Sequence, residues 1–158
     1  MANKVEIVRY EDGHGAAVAD RMRLCDRKEI YYLAMLTAPR AVALTAGISV
    51  GRWTGLVDGV PACIFGVARR SLISPVGVPW LLATDLMDTV PRIVAKESRT
   101  YFKRIQAAFP VLENHVLAEN VQTVRWLRWL GFDMEEPAPY GAFGAPFIRF
   151  GKGLDQCV

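Results

Sequence analysis

Three side chains in the second half of the chain have the chemistry of a general acid or base. Asp85 ends an apolar stretch, at the carboxyl end of a predicted strand. His115 lies on the strand predicted beside it, and Tyr140 lies in the loop Pro-Ala-Pro-Tyr-Gly. A carboxylate, an imidazole and a phenol can each exchange a proton with a reacting group. Each also has a structural interpretation: Asp85 as a turn cap, His115 as a half-buried sheet residue and Tyr140 as a surface residue.

The segment from Leu112 to Phe132 is the most informative part of the sequence. A predicted strand leads to Asn120, after which apolar residues recur with helical spacing up to Gly131. Asparagine is a favoured N-cap because its side-chain carbonyl accepts from an unpaired amide of the first turn. Glycine tolerates the left-handed conformation that ends many helices. We therefore predict a helix over residues 120–130, capped by Asn120 and terminated by Gly131.

This segment resembles the Asn-x-x-Ala-x-x-x-Tyr-x-x-x-Gly-Phe signature of the GNAT (Gcn5-related) N-acyltransferases. Counted from Asn120, the alanine of the signature falls on Thr123 and its general-acid tyrosine falls on Leu127. The Gly-Phe pair falls on Gly131 and Phe132. The resemblance implies that Asn120 lies beside the pantetheine arm of acetyl-CoA.

Acyl transfer by such an enzyme requires that an amine lose a proton and that a thiolate gain one. Leu127 occupies the position of the family's acid, and a leucine cannot protonate a thiolate. Tyr140 is then the candidate acid, because its loop can reach back over the cleft. Asp85 and His115 are the alternative candidates for the base.

The resemblance also implies where CoA is held. GNAT enzymes bind the pyrophosphate with a glycine-containing loop at the start of a long helix, where free backbone amides approach the phosphates. The corresponding stretch, residues 86–92, contains no glycine and carries Asp88. The amides at the helix start and the Arg92 side chain are the alternatives. The candidate cofactor-binding residues are Leu82, Ala83, Thr84, Thr89, Val90, Arg92, Asn120 and Leu127.

The remaining elements follow from periodicity and from turn residues. One helix is predicted from about His14 to Leu36, and a second over residues 40–48. Asp58-Gly59 between two apolar runs predicts a tight hairpin. A long helix is predicted from about Pro91 to Ala108, with Asp88 or Thr89 as its cap.

The resulting order is β-α-α-β-β-β-α-β-α-β-β, which is that of the GNAT fold. We therefore expect a single domain over residues 1–158 of the α/β (α+β) class. Its central sheet is predicted to be mixed, mostly antiparallel and six to seven strands wide, with about four flanking helices. A splayed pair of parallel strands would form the cofactor cleft.

The composition indicates one compact protein without further cofactors. The chain has 158 residues, of which 52% are hydrophobic and 22% charged, and a net charge of +3. Its basic residues are dispersed, so nucleic acid is not an expected partner. Three widely spaced cysteines and two histidines suggest neither disulfides nor a metal site. The apolar runs are too short for a membrane span, which points to the cytoplasm.

The helix over residues 120–130 alternates aromatic and basic side chains. Trp126 and Trp129 alternate with Arg125 and Arg128. Core packing with a solvated arginine edge is one interpretation. A protein interface is the other, since Trp and Arg are over-represented at binding hot spots.

Phrases between Trp80 and Phe150 resemble the small GNAT-like proteins of short-tailed, T7-like bacteriophages, including internal virion protein A. This resemblance implies a protein that acts in the cytoplasm of an infected bacterium. Two functions are consistent with it: an acetyl-CoA-dependent N-acyltransferase that modifies a host protein or a small amine, and a GNAT scaffold with weak or lost chemistry that binds a host protein. The sequence does not determine the oligomeric state.

Overall fold

The computed structural model describes residues 2–156, so Cys157 lies outside the described part of the chain. The strands are β1 (Val5–Arg9), β2 (Ser49–Val57), β3 (Val60–Arg69), β4 (Val76–Ala83), β5 (Val111–Leu117), β6 (Asp133–Met134), β7 (Ala138–Tyr140) and β8 (Ala145–Lys152). The helices are α1 (Asp12–Asp20), α2 (Leu24–Ala34), α3 (Ala38–Ile48), α4 (Pro91–Ala108) and α5 (Val121–Leu130).

All eight strands belong to one mixed sheet. Their order is β1-β2-β3-β4-β5-β8-β6, and β7 pairs with the first three residues of β8, from Ala145 to Phe147. The neighbours are antiparallel except β4 and β5, which are parallel. The predicted fold class is therefore confirmed. The sheet is seven strands across, as expected, because β6 and β7 pair with the same side of β8, although the chain after α5 forms three strands where two were predicted.

The parallel pair β4–β5 is short. It comprises only Val76 opposite Val111 and Gly77 opposite Leu112, after which the two strands diverge. The predicted splay is therefore present. The side chain of Asn114 crosses the start of the gap, where its Nδ2 donates to the Pro79 carbonyl at 2.8 Å.

Apolar cores lie on both faces of the sheet. On one face, α4 and α5 bury Val67, Ile105, Phe109, Leu112, Val116, Val124, Leu127, Phe132, Ile148 and Phe150. On the other face, α1 and α3 pack on β3 and β4 and bury Val18, Ala19, Met22, Ala38, Val42, Ile64 and Leu82. Helices thus cover both faces of the sheet, and the gap between β4 and β5 opens at the carboxyl ends of these two strands.

The hairpin between β2 and β3 has the predicted turn. Asp58 and Gly59 both adopt positive φ angles, of 49° and 79°. A two-residue turn of this kind matches the twist of the flanking strands, which is why Asp-Gly favours it. The β2–β3 hairpin is therefore specified locally by the sequence.

The single helix predicted from His14 to Leu36 is wrong. The chain breaks between α1 and α2, and there Met22 forms an isolated antiparallel bridge with Thr84 at the end of β4. The amide of Arg23 donates to the Ala83 carbonyl at 2.8 Å. The end of strand β4, about 60 residues away in sequence, thus interrupts the helix, although no glycine or proline marks the break.

A buried carboxylate fixes α2 to the sheet. Asp26 Oδ2 accepts from the amide of Ala83 at 2.8 Å. The same carboxylate is paired with Arg23, at 3.1 Å to Nε and 3.0 Å to Nη2. Both side chains are largely buried, with 5% and 12% of their surface exposed.

We predict that Asp26→Ala lowers the free energy of unfolding by about 3–5 kcal/mol, because it leaves a buried arginine and a buried amide without their acceptor. Chemical denaturation measures this change. Asp20→Ala, at the exposed end of α1, is the matched control, with an expected change within about 0.5 kcal/mol. Equal effects of the two substitutions would show that Asp26 does not hold α2 in place.

Candidate active site at the splayed strands

The mouth of the gap between β4 and β5 is bounded by the buried side of α2. Asp26 and Glu29 lie three residues apart and face the same side of that helix. Asp26 accepts from the last residue of β4, and Glu29 Oε2 accepts from the amide of Leu117, the last residue of β5, at 2.9 Å. One helix thus supplies a carboxylate to the end of each diverging strand.

Glu29 is held at this position without a counter-ion among residues 2–156. Its Oε2 also accepts from Asn120 Nδ2 at 3.4 Å. Burial raises the pKa of Glu29 from its ordinary 4.5 to about 7, although the hydrogen bond from Leu117 favours the charged form. The carboxyl group therefore changes its charge near neutral pH.

A pocket of about 340 Å³ opens between α2 and the start of α5. Its lining consists of Leu24, Cys25, Lys28, Leu117, Glu119 and Asn120. At its rim, Lys28 Nζ lies 2.8 Å from Glu119 Oε2 and links α2 to the loop before α5. The volume is at the lower end of the range for small-molecule sites, about 300–1,000 Å³.

Asn120 lies at the predicted position but does not make the predicted cap. It precedes α5 directly and is buried, but its side chain accepts no bond from the first turn of that helix. Instead its amide group points to Glu29. The end of the helix agrees with the prediction, since Gly131 has a φ of 95° and its amide donates to the Arg128 carbonyl at 3.0 Å.

The predicted cofactor residues at the end of β4 are already bonded within the chain. Leu82 is buried in the core beneath α1 and α3. Ala83 uses its amide with Asp26 and its carbonyl with Arg23. Thr84 is buried, donates to the Ala62 carbonyl at 3.0 Å, and accepts from the amide of Leu86.

Asp85 begins a short 3-10 turn, Asp85–Thr89, for which Thr84 is the capping residue. The Asp85 side chain is exposed and forms no hydrogen bond or ion pair within residues 2–156. The turn is therefore capped by Thr84 and not by Asp85. A role of Asp85 as a base stays a prediction.

Helix α4 begins at the predicted residue, but its cap and the amides before it differ from the prediction. Val90 precedes the helix and Pro91 begins it, and neither Asp88 nor Thr89 caps it. The amide of Val90 is not free, because it donates to the Met87 carbonyl at 3.3 Å. The 3-10 turn, which was not predicted, causes both differences.

The exposed groups around this helix start offer few phosphate ligands. Thr89 is exposed and donates its hydroxyl to the Leu86 carbonyl at 2.7 Å. Asp88 accepts from Gln122 Nε2 at 3.3 Å, which connects the turn before α4 to the first turn of α5. Arg92 is exposed on the first turn of α4. Leu127, in the position of the family's acid, is buried in the core beneath α4 and α5.

The structure brings two of the predicted catalytic residues together. The rings of His115 and Tyr140 are stacked, with centroids 3.8 Å apart and planes 5° from parallel. Tyr140 also contacts Phe147 edge to face, and 44% of the tyrosine remains exposed. The tyrosine therefore folds over β5, on the same face of the sheet as Leu117.

Charged residues surround this aromatic pair. Burial lowers the pKa of His115, with the nearby Glu113 carboxylate opposing the shift. Glu113 in turn accepts from Arg149 Nε at 3.0 Å, and this hydrogen bond lowers the pKa of the carboxyl group. Arg149 also pairs with Glu135. The lowered pKa favours the neutral form of His115, which can accept a proton.

Three residues at the gap were not predicted as functional. Asp26, Glu29 and Asn114 were not singled out as functional residues in the sequence. The spacing of Asp26 and Glu29 on one face of a helix was the available signal. Without knowledge of what that face covers, the spacing could not be distinguished from an exposed polar stripe.

Two further classes of site have no support in the described part of the chain. No group of three or more His, Cys, Asp or Glu side chains in residues 2–156 is arranged to hold a metal ion. None of the helices in that range has the length and hydrophobicity needed to cross a membrane.

The similarity of this chain to known proteins lies in its structure. No family model and no curated protein sequence matches this chain. A putative acetyltransferase from Salmonella typhimurium with its cofactor acetyl-CoA superposes with a TM-score of 0.66 at 11% identity, covering 94% of this chain and 92% of that one.

Two other acetyltransferases superpose over similar lengths. The ribosomal-protein-S18-alanine N-acetyltransferase from Escherichia coli gives a TM-score of 0.65 at 12% identity, covering 94% and 93% of the two chains. Spermidine N-acetyltransferase from Vibrio cholerae, in complex with CoA and spermine, gives 0.62 at 11% identity, covering 93% and 94%. The chain therefore has the GNAT fold, with the splayed strands that characterise it.

Proposed function

We propose that this chain is an acetyl-CoA-dependent N-acyltransferase that modifies a host protein or a small amine, in the cytoplasm of a bacterium infected by a T7-like phage. The observation that carries the proposal is the gap between β4 and β5, with Asn120 buried at its mouth and a pocket beside it. Proteins of this fold that superpose on the chain bind acetyl-CoA or CoA. The phage origin rests on the sequence resemblance alone.

The residues at the gap fit the pantetheine arm of CoA better than its pyrophosphate. An arm of this kind offers amides and carbonyls, and Asn120 can bond to either. The turn before α4 has no glycine, and the Val90 amide is bonded to Met87. We therefore assign the phosphates to side chains, with Arg92 as the cation and Thr89 beside it. When bound, the thioester supplies the acyl carbon that the amine attacks.

We propose Tyr140 as the acid of this reaction. It stacks on His115 on the face of the sheet that α2 also covers, and 44% of the residue is exposed. Leu127 is buried on the opposite face and cannot take this role. A phenol in the outer strand thus replaces the tyrosine that the family carries on its helix.

Acetyl-CoA is expected to bind the protein and stabilise it. At about 100 times its Kd, the ligand should add roughly 2.7 kcal/mol to the free energy of unfolding. Thermal unfolding with and without millimolar acetyl-CoA measures this effect. Asn120→Ala should weaken binding, whereas Thr100→Ala on the exposed side of α4 should not. An unchanged Tm of the wild-type protein would contradict the proposed function.

Tyr140→Phe is expected to slow acetyl transfer by about 10²–10⁴-fold, because it removes the acid while keeping the ring against His115. Transfer is followed by mass spectrometry of amines from a bacterial lysate. Tyr32→Phe, on α2, is the matched control. Equal rates for the wild type and Tyr140→Phe would exclude this tyrosine as the acid.

A second candidate function is a GNAT scaffold that binds a host protein. The amides of Ala83 and Val90, which a cofactor would use, are bonded within the chain, and this favours weak chemistry. We assign the surface for such a partner to α5. There Trp129 is 45% exposed, and Arg99 of α4 lies 4.0 Å above its ring. Trp126 instead packs against the core, so only one of the two tryptophans serves this surface.

The scaffold function predicts one enriched host protein when the tagged chain is used for affinity purification from a bacterial lysate. Trp129→Ala should abolish the enrichment, because buried tryptophans at interfaces typically contribute about 2 kcal/mol or more. Lys103→Ala, on the exposed side of α4, is the control. If no protein is enriched over a tagged control, with or without CoA, this alternative loses its support.

A further inference from the structure

Glu29 stands apart from the other ionisable groups at the gap. Asp26 is paired with Arg23 and bonded to Ala83, which uses its acceptor capacity. Lys28 is paired with Glu119 at the pocket rim. Glu29 has no ion-pair partner in residues 2–156. Only its Oε2 is engaged, by Leu117 and Asn120, so the other carboxylate oxygen has no hydrogen bond there.

The position of Glu29 is set by the two elements that enclose the pocket. Its partners Leu117 and Asn120 both line that pocket, as does Cys25 of the same helix. The Glu29 carboxylate is thus anchored to the end of β5, one hydrogen bond behind the part of the pocket wall that Leu117 and Asn120 form.

We propose that Glu29, in place of Asp85 or His115, is the general base that takes a proton from the acceptor, and that the acceptor is a primary amine bound as its ammonium ion in the pocket between α2 and α5. This inference rests on the proposed function. An anionic carboxylate attracts the ammonium group, and a protonated carboxyl group is the product of the transfer. Glu29 lies outside the segment that resembles the GNAT signature, so the resemblance assigns it no role.

The proton balance is complete without another reactant. One ammonium proton passes to the carboxylate of Glu29, and the nitrogen lone pair then forms the C–N bond to the acyl carbon as the C–S bond breaks. Tyr140 gives its phenol proton to the leaving sulfur and regains a proton when the nitrogen loses its second one. The third remains on the amide product, and Glu29 releases its proton to water.

The charge of Glu29 near neutral pH suits this role. A base is most effective when its pKa lies close to the working pH. Burial is the main cause of the raised pKa of Glu29; Asp26 raises it further and Arg23 lowers it. Cys25 is not an alternative nucleophile, because burial raises the pKa of its thiol. Lys28 and Glu119 face the same pocket from its rim and offset each other.

The test is the pH dependence of acetyl transfer by the full chain, with acetyl-CoA and a panel of primary amines. The wild-type rate should rise with pH through an apparent pKa near 7, given the value for Glu29. Glu29→Gln should lower the rate by about 10²–10⁴-fold and abolish this rise, while Glu29→Asp should keep the rise at a reduced rate. Glu136→Gln, on the exposed segment after β6, is the control with wild-type kinetics.

A second readout does not depend on activity. The folded state holds the Glu29 proton more tightly than the unfolded state, so stability falls as pH rises from about 4.5 to about 7. Glu29→Gln keeps an acceptor for Leu117 and carries no charge. Its Tm should exceed that of the wild type by several degrees at pH 8, and the difference should vanish near pH 4.5.

The outcomes separate this inference from the proposed function. A Glu29→Gln variant that binds acetyl-CoA and keeps the wild-type rate and pH profile would overturn the inference and leave the function intact. A loss of the rise in Asp85→Asn but not in Glu29→Gln would do the same and return the base to Asp85. A wild-type protein without binding or turnover would overturn both.

Discussion

The early end of the parallel pairing between β4 and β5 is the constraint on which the rest of the molecule depends. Beyond Gly77 and Leu112 the two strands have no ladder to each other. Their amides and carbonyls in the gap must still be satisfied, since an unpaired buried backbone group costs about as much as a lost hydrogen bond. Asn114 bridges the start of the gap by a side-chain bond to Pro79. Further out, only another element can supply the partners.

Helix α2 is that element. Asp26 and Glu29 reach the last amides of β4 and β5, and Arg23 returns a donor to the Ala83 carbonyl. The use of carboxylates as hydrogen-bond acceptors for these backbone amides has a chemical consequence. A partly desolvated carboxylate has a raised pKa and titrates closer to neutral pH. The same contacts that stabilise the splay therefore place a proton acceptor at its mouth. The α2 residues that stabilise the strand ends are thus also the ones that could take part in proton transfer.

The local features of the chain were predictable from the sequence. Asp58-Gly59 adopts its tight turn and Gly131 ends α5 because each conformation is decided by the residues themselves. Most of the order of strands and helices also followed from periodicity, except that α1 and α2 were predicted as one helix and two strands were predicted after α5 where there are three. The break before α2 did not, because it depends on Met22 pairing with Thr84, far away in sequence. Propensity within the segment gives no sign of such a contact.

The candidate site was predictable only in part. Asn120 was located correctly, but its side chain serves Glu29 and not the helix that follows it. Glu29 and Leu117 are 88 residues apart, so neither residue's neighbourhood reveals the other. His115 and Tyr140 were chosen separately and proved to be stacked, since β7 folds over β5.

A titration of the ¹⁵N-labelled protein with acetyl-CoA, followed by amide NMR, tests most directly whether the cofactor binds at the gap between β4 and β5. Saturable shifts centred on Ala83, Leu117 and the Asn120 side chain are expected, and shifts confined to other regions, or none at all, would contradict the account.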